Sequence, residues 1–144
     1  MSYVRIWLHC VWGTKNHFPF INELNKKKIL DHIRENAEKK DIYIDFINGH
    51  KEHVHCLISL KKDQTIAKVM QLIKGESSRW INKSGILGIK FEWADEYFAV
   101  SISESHLNKV RNYIKKQERH HRHKSWREEC EEFMDNYGFV KMQV

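Results

Sequence analysis

Apolar and polar positions alternate from Tyr3 to Trp12. Val4, Ile6, Leu8 and Cys10 fall on one side, and Tyr3, Arg5, Trp7 and His9 on the other. A period of two among aromatic and β-branched residues predicts a first strand. From Asn22 to Lys40 the period lengthens. Ile29, Leu30, Ile33 and Ala37 recur at helical spacing among lysines and acids, with no Gly or Pro to interrupt them, and predict a first helix. Asp41–Asn48 alternates Ile42, Ile44 and Phe46 against polar neighbours, and His53–Leu60 is a second run of period two. The Gly49–Glu52 stretch between them suits a hairpin turn. Beyond Asp63, Ile66, Val69, Met70, Ile73, Trp80 and Ile81 mark one face of a second helix, which Gly85 and Gly88 end. A short strand is expected over Lys90–Trp93, and another piece over Tyr97–Ile102. A third helix follows from SESHLNKV to about His121, with Ser103 or Ser105 as its N-cap. A fourth, charged helix is expected from Ser125 to Asn136, stopping before Gly138.

The order strand, helix, hairpin, helix, strand, helix predicts an α+β chain of the ferredoxin-like split βαββαβ type. Its antiparallel sheet carries helices on one face, with C-terminal helices added. No repeat, low-complexity tract or linker divides the chain, so one domain over residues 1–144 is expected, with a helical extension over about 105–137. This superfold hosts RNA-recognition modules, metal chaperones and small enzymes, so function has to come from particular side chains.

Composition changes the picture modestly. With 41% hydrophobic residues and one proline among 144, the chain has the apolar content to close a core, which argues against disorder. A net charge of +6 favours a polyanionic partner without requiring one. Cys10, Cys56 and Cys130 are odd in number and far apart, with no CxxC pair. A reducing cytoplasm is therefore the expected compartment. No apolar run approaches the roughly 20 residues that span a bilayer, and the first residues lack the layout of a secretion signal, so neither export nor a membrane span is expected.

His53 and His55 flank Val54. On a strand both imidazoles point to one face while Val54 points to the core, and two neutral imidazoles so placed can share a cation. Taken alone, a His-x-His pair among ten histidines is a weak signal and reads more readily as polar-face residues. Tyr113 lies in VRNYIKKQERHH with Gln117 one helical turn later, so a phenol and an amide share a face. A tyrosine hydroxyl can attack a phosphodiester and hold the DNA covalently. With a pKa of about 10, it then needs a polarised phosphate or a nearby base. Without that context Tyr113 reads as an edge residue of the Leu107, Val110, Ile114 stripe.

Three segments in this order carry a more specific signal: His-Val-His followed by CLISL, then WADEYFAVSISES, then VRNYIKKQERHH. Together they resemble the landmarks of HUH-type insertion-sequence transposases with a single catalytic tyrosine, especially the branch associated with repeated extragenic palindromes, over nearly the whole chain. The resemblance implies Tyr113 as nucleophile, and His53, His55 and Gln117 as ligands of a divalent metal, magnesium or manganese. It also implies single-stranded DNA substrates with hairpin or palindromic ends, cut to a 5′-phosphotyrosine and a free 3′-hydroxyl and then rejoined. A homodimer is implied as well, in which the tyrosine helix of one subunit reaches the histidine pair of the other.

Other readings compete. VRNYIKK, with Lys116, also fits the tyrosine motif of HUH replication initiators, although no second tyrosine lies nearby. A non-catalytic ferredoxin-like module for single-stranded nucleic acid would present aromatic residues on an open sheet, where this sequence has histidines. A host protein with the same ancestry, acting on scattered palindromes, would use the same site. For phosphate contacts the candidates are Lys15, Lys61, Lys62, Lys68, Lys74 and Arg79, with Trp80 or Trp93 as possible stacking platforms for a base. Trp80 also falls on the apolar stripe of its helix. His120, His121 and His123 read as a basic, exposed helix end.

Overall fold

The structure, a computed structural model, describes residues 1–116 together with Glu128 and Glu132. Strand β1 (Ile6–Thr14), helix α1 (Lys26–Lys39), strands β2 (Tyr43–His50) and β3 (His53–Leu60), helix α2 (Ile66–Ser84), strand β4 (Trp93–Ile102) and helix α3 (Leu107–Lys115) follow one another. The four strands pair antiparallel in the order β2-β3-β1-β4, the ferredoxin-like order expected of a split βαββαβ chain. Gln117, the three histidines at 120, 121 and 123, and the end of the third predicted helix lie outside the described residues. Of the fourth predicted helix only Glu128 and Glu132 are described, both helical.

Each helix begins or ends where local chemistry requires it. The α1 helix starts later than its periodicity suggests, because Asn22 and Asn25 close a polar turn first. Asn22 Oδ1 accepts from the backbone N–H groups of Leu24 and Asn25, and Asn25 Nδ2 donates to the Phe20 carbonyl. Thr65 caps α2 by accepting from the Lys68 N–H, and Gly85 ends it in the left-handed region at φ 69°. A further turn over Glu104–His106 intervenes before α3, so Ser103 stands at the N-cap position of that turn rather than of the helix, without a side-chain capping bond, and His106 stands at the N-cap of α3.

Helices α1 and α2 cover one face of the sheet. Ile29, Ile33, Val69, Met70 and Ile81 pack there on Cys10, Trp12, Val54, Cys56 and Ile58. Helix α3 covers the other face, burying Leu107, Val110 and Ile114 against Leu57 and Ile102. Both faces of the central strands are therefore dry, and every residue from His53 to Ile58 is buried.

Two irregularities depart from simple alternation. Between Ile44 and Phe46 the β2–β3 register slips, leaving Asp45 as an extra residue. This bulge reverses the parity that the sequence suggests for Ile42, Ile44 and Phe46. Ile42, Ile44 and Ile47 enter the α1–α2 core, while Phe46 turns to the α3 side. The hairpin turn is also tighter than Gly49–Glu52, since Gly49 and His50 belong to the strand. A Cβ on Gly49 would lie 2.7 Å from Ile21 Cδ1 and 2.9 Å from the His53 carbonyl oxygen, so the hairpin closes there only with glycine.

The second slip lies between β1 and β4, where Trp12 pairs with Tyr97 but Thr14 with Trp93. Extra residues bulge out of β4, which explains why its sequence reads as two short pieces. One strand, Trp93–Ile102, is observed, and Lys90–Glu92 precede it.

Cys10 and Cys56 face each other across β1 and β3 with no measurable exposure. Burial pushes the Cys10 thiol from its ordinary 9.0 to about 12, and raises Cys56 well above its ordinary value. Above the unfolded pKa of 9.0 the unfolded chain sheds protons that the folded chain keeps up to about 12, so stability is complete below that window and falls as pH rises through it. The slope is about 1.4 kcal/mol per pH unit per thiol at its steepest. Urea unfolding at about pH 8 and about pH 10.5 is expected to show a smaller alkaline loss in Cys10→Ala than in the parent chain.

Candidate active site

The α3-facing side of β1 and β3 holds a cluster of buried imidazoles. His53 and His55 lie on β3 with no more than 1% exposure, one residue apart and on one face, as their spacing predicts. Their rings meet edge to face with centroids 5.0 Å apart. Val54 points the other way, into the α1–α2 core.

Helix α3 brings Tyr113 onto this cluster. Its half-buried ring packs edge-on against His55, with centroids 5.7 Å apart, and against His9 at 6.0 Å. The apolar stripe Leu107, Val110, Ile114 seats the helix, which turns Tyr113, one residue before the fully buried Ile114, toward the histidines. Polar contacts fix its position. Arg111 Nε and Nη2 donate to the two carboxylate oxygens of Asp45 at 2.7 and 2.9 Å, and Asn48 Nδ2 donates to the Ile114 carbonyl at 2.9 Å. The Asp45 bulge serves both contacts. It supplies the carboxylate, and it reverses the parity so that Phe46 and Asn48 aim at α3. Tyr113 thus reaches the histidines of its own chain, whereas the resemblance noted above implies docking onto a partner's.

In the sequence His9 reads only as one polar position of an alternating strand. It is completely buried, and its Nε2 shares a hydrogen bond of 2.9 Å with His55 Nδ1. The register places Val11 opposite His55 and Leu57 opposite His9, which sets the two histidines diagonally across the pair. Only that register reveals the contact.

The donor set suits a divalent cation held by two imidazoles. With Nδ1 of His55 engaged by His9, the ring nitrogen of His55 that can face a cation is Nε2. Among the described residues no group of three or more His, Cys, Asp or Glu side chains is placed to hold a metal, so acidic ligands do not join the pair there.

The candidate phosphate contacts do not converge on this site. Lys15 lies past β1 beside a cleft of about 400 Å³, lined also by His17, Phe18 and Lys90, and its ammonium donates to Glu92 at 3.0 Å. Lys61 and Lys62 sit at the other end of the sheet, because Leu60 pairs with Ile6 while His53 pairs with Gly13. Lys61 is paired with Asp41. Lys68 and Arg79 are exposed on α2, across the sheet from the histidines.

Lys74 has a structural task. Its ammonium donates to the carbonyls of Ala94 and Asp95, at 2.7 and 3.0 Å, which are the groups that the β4 bulge removes from the ladder. Burial lowers its pKa. The tryptophans are also occupied. Trp93 is 7% exposed and donates from Nε1 to Ser77 Oγ, and one face of Trp80 is stacked on His32 at 4.0 Å. On the histidine side, by contrast, Lys109, Lys115 and Lys116 are exposed on and just after α3. Nothing in their sequence context marks them for DNA, because their value comes from sharing a helix with Tyr113.

The buried face also bears on the binding-module reading. Trp7, Phe46 and Val100 pack under α3, so this side of the sheet is not the open aromatic platform on which bases stack. Among the described residues no helix is long and apolar enough to cross a membrane.

Comparison with known proteins agrees with this architecture. No curated protein sequence matches. A transposase from Deinococcus radiodurans R1 superposes with a TM-score of 0.62 at 22% identity, covering 81% of this chain and 95% of that one. A REP-associated tyrosine transposase solved bound to a REP hairpin gives a TM-score of 0.61 at 17% identity, covering 84% of this chain and 72% of that one. At these identities the likeness establishes the fold. The sequence profile described as "Transposase IS200 like" matches residues 2–117, which include the histidine pair, His9 and the tyrosine helix, and the chain therefore belongs to the IS200-like transposase family.

Proposed function

We propose that this IS200-like transposase cuts and rejoins single-stranded DNA through Tyr113, with His53, His55 and Gln117 holding a divalent metal, magnesium or manganese. The observation that carries the reading is the packing of Tyr113 against His55 on a dry face of the sheet, with the ring centroids 5.7 Å apart. A phenol beside a cation-binding pair is the arrangement that phosphodiester attack by tyrosine requires.

The chemistry follows from these groups. The Tyr113 oxygen bonds to the phosphorus, the bond from phosphorus to the 3′-oxygen breaks, and the phenolic proton leaves as the 3′-oxygen gains one. The products are a 5′-phosphotyrosine and a free 3′-hydroxyl. One high-energy linkage replaces another, so the reverse attack by a 3′-hydroxyl rejoins strands without an external energy source. A bound divalent metal would polarise the scissile phosphate and so ease attack by a phenol whose pKa is about 10. Helix α3, held by Asp45 and Asn48, keeps the nucleophile in place against thermal wandering. Lys109, Lys115 and Lys116 give the helix a positive face for the strand's phosphates.

The substrate class is a single strand with a hairpin or palindromic end, in line with the REP hairpin held by the similar tyrosine transposase. The test is a denaturing gel of the protein mixed with a pool of end-labelled, hairpin-bearing single strands, with and without manganese. A metal-dependent band that survives denaturation is the expected result. Binding without any such band, on every strand, would leave only a non-catalytic nucleic-acid-binding protein.

A further inference from the structure

We propose that His9 is a positioning residue for the metal site: it accepts a hydrogen bond from Nδ1 of His55 and so holds His55 in the tautomer whose Nε2 can bind a cation. The inference rests on the reading of His53 and His55 as metal ligands. Its geometry is the 2.9 Å contact between His9 Nε2 and His55 Nδ1, made by two rings that are each no more than 1% exposed.

Tautomer logic gives the contact its direction. A neutral imidazole carries one proton, and the nitrogen that binds a cation must be the bare one. Nδ1 of His55 is taken up by His9, so coordination by His55 uses Nε2 and puts the proton on Nδ1. His55 is then the donor, His9 Nε2 the acceptor, and the proton of His9 sits on its own Nδ1. Were His9 the donor instead, His55 would carry its proton on Nε2 and could not bind a metal there. Metal-binding histidines elsewhere are oriented by an acceptor on the second ring nitrogen, ordinarily a carboxylate, carbonyl or water. Here a buried neighbour on the adjacent strand supplies it.

His9 also touches the nucleophile, its ring lying 6.0 Å from that of Tyr113 and edge-on to it. It therefore sits between the two halves of the site, ordering His55 on one side and bounding the tyrosine on the other. Its engagement with His55 separates it from a third metal ligand, consistent with the absence of any three-residue metal cluster among the described residues.

The full-length protein with His9→Gln and His9→Leu tests the assignment. Glutamine keeps an acceptor oxygen near the place of Nε2, whereas leucine fills similar space and accepts nothing. Manganese affinity is read by calorimetry, the His55 tautomer by ring-nitrogen NMR of the metal-free protein, and folding by metal-free melting. Removing an orienting partner of a metal ligand weakens binding about 10–100-fold. His9→Leu is expected to lose affinity by about that factor while remaining folded, and His9→Gln to remain within about threefold. In the parent and in His9→Gln, His55 is expected to be protonated on Nδ1.

Wild-type affinity in His9→Leu, or a parent His55 protonated on Nε2, would overturn the proposal. So would a His9→Gln variant as weak as His9→Leu with intact folding. If the parent protein binds no manganese, the metal reading fails. The tautomer measurement, made without metal, then still decides whether His9 orders His55.

Discussion

Tyr113→Phe is expected to abolish the covalent protein–DNA adduct, a loss of about 10³-fold or more, since the proposed nucleophilic oxygen is gone. The substitution removes one oxygen and leaves the ring. Phenylalanine keeps the edge contacts to His55 and His9, with centroids at 5.7 and 6.0 Å, and leaves the Leu107, Val110, Ile114 seat of α3 untouched. Stability is expected to change by no more than about 1 kcal/mol, the net worth of a hydrogen bond. Hairpin binding should persist as well. The measurement is the denaturing gel described above, run beside a melting curve. Adduct formation undiminished in Tyr113→Phe would remove the tyrosine from the chemistry.

The second large effect is expected of His53→Ala. If His53 holds the proposed metal, its loss would forfeit several kcal/mol of charge stabilisation, which corresponds to about 10²–10³-fold in the rate of adduct formation. His53 is completely buried, so the substitution also leaves a void beneath α3 and should lower the melting temperature, unlike Tyr113→Phe. Mixing the two variants asks a structural question. Because Tyr113 packs on the histidines of its own chain, a mixture of His53→Ala and Tyr113→Phe is expected to form no adduct. Recovery would mean that α3 exchanges between copies, each remaking the Arg111–Asp45 and Asn48–Ile114 contacts on its partner, and that the homodimer implied by the resemblance has composite sites.

The sequence alone determined the order of elements and the strand order that follows from it. Both rest on local periodicity and on connection rules that a chain with this few turn residues can satisfy in few ways. It also put His53 and His55 on one face, because parity within an unbroken strand is fixed by its pleat. The role proposed for Tyr113 comes from a resemblance rather than from physics, since an edge tyrosine on an amphipathic helix has no chemical signature of its own.

What only the tertiary structure decided is what lies across from what. Register brought His9 to His55, and no pattern within β1 could have announced it. The bulge at Asp45 reversed the parity of β2 and thereby aimed Phe46 and Asn48 at α3, a local departure that alternation cannot foresee. Lys74 proved to be the partner of carbonyls exposed by another bulge, so a residue that charge assigned to DNA is held by the protein's own backbone. Helix α3 closes over the far face of the sheet, where it buries the imidazoles and sets Tyr113 beside them. Periodicity reports which side of an element is apolar, but which surface covers that side is decided by packing between elements distant in sequence.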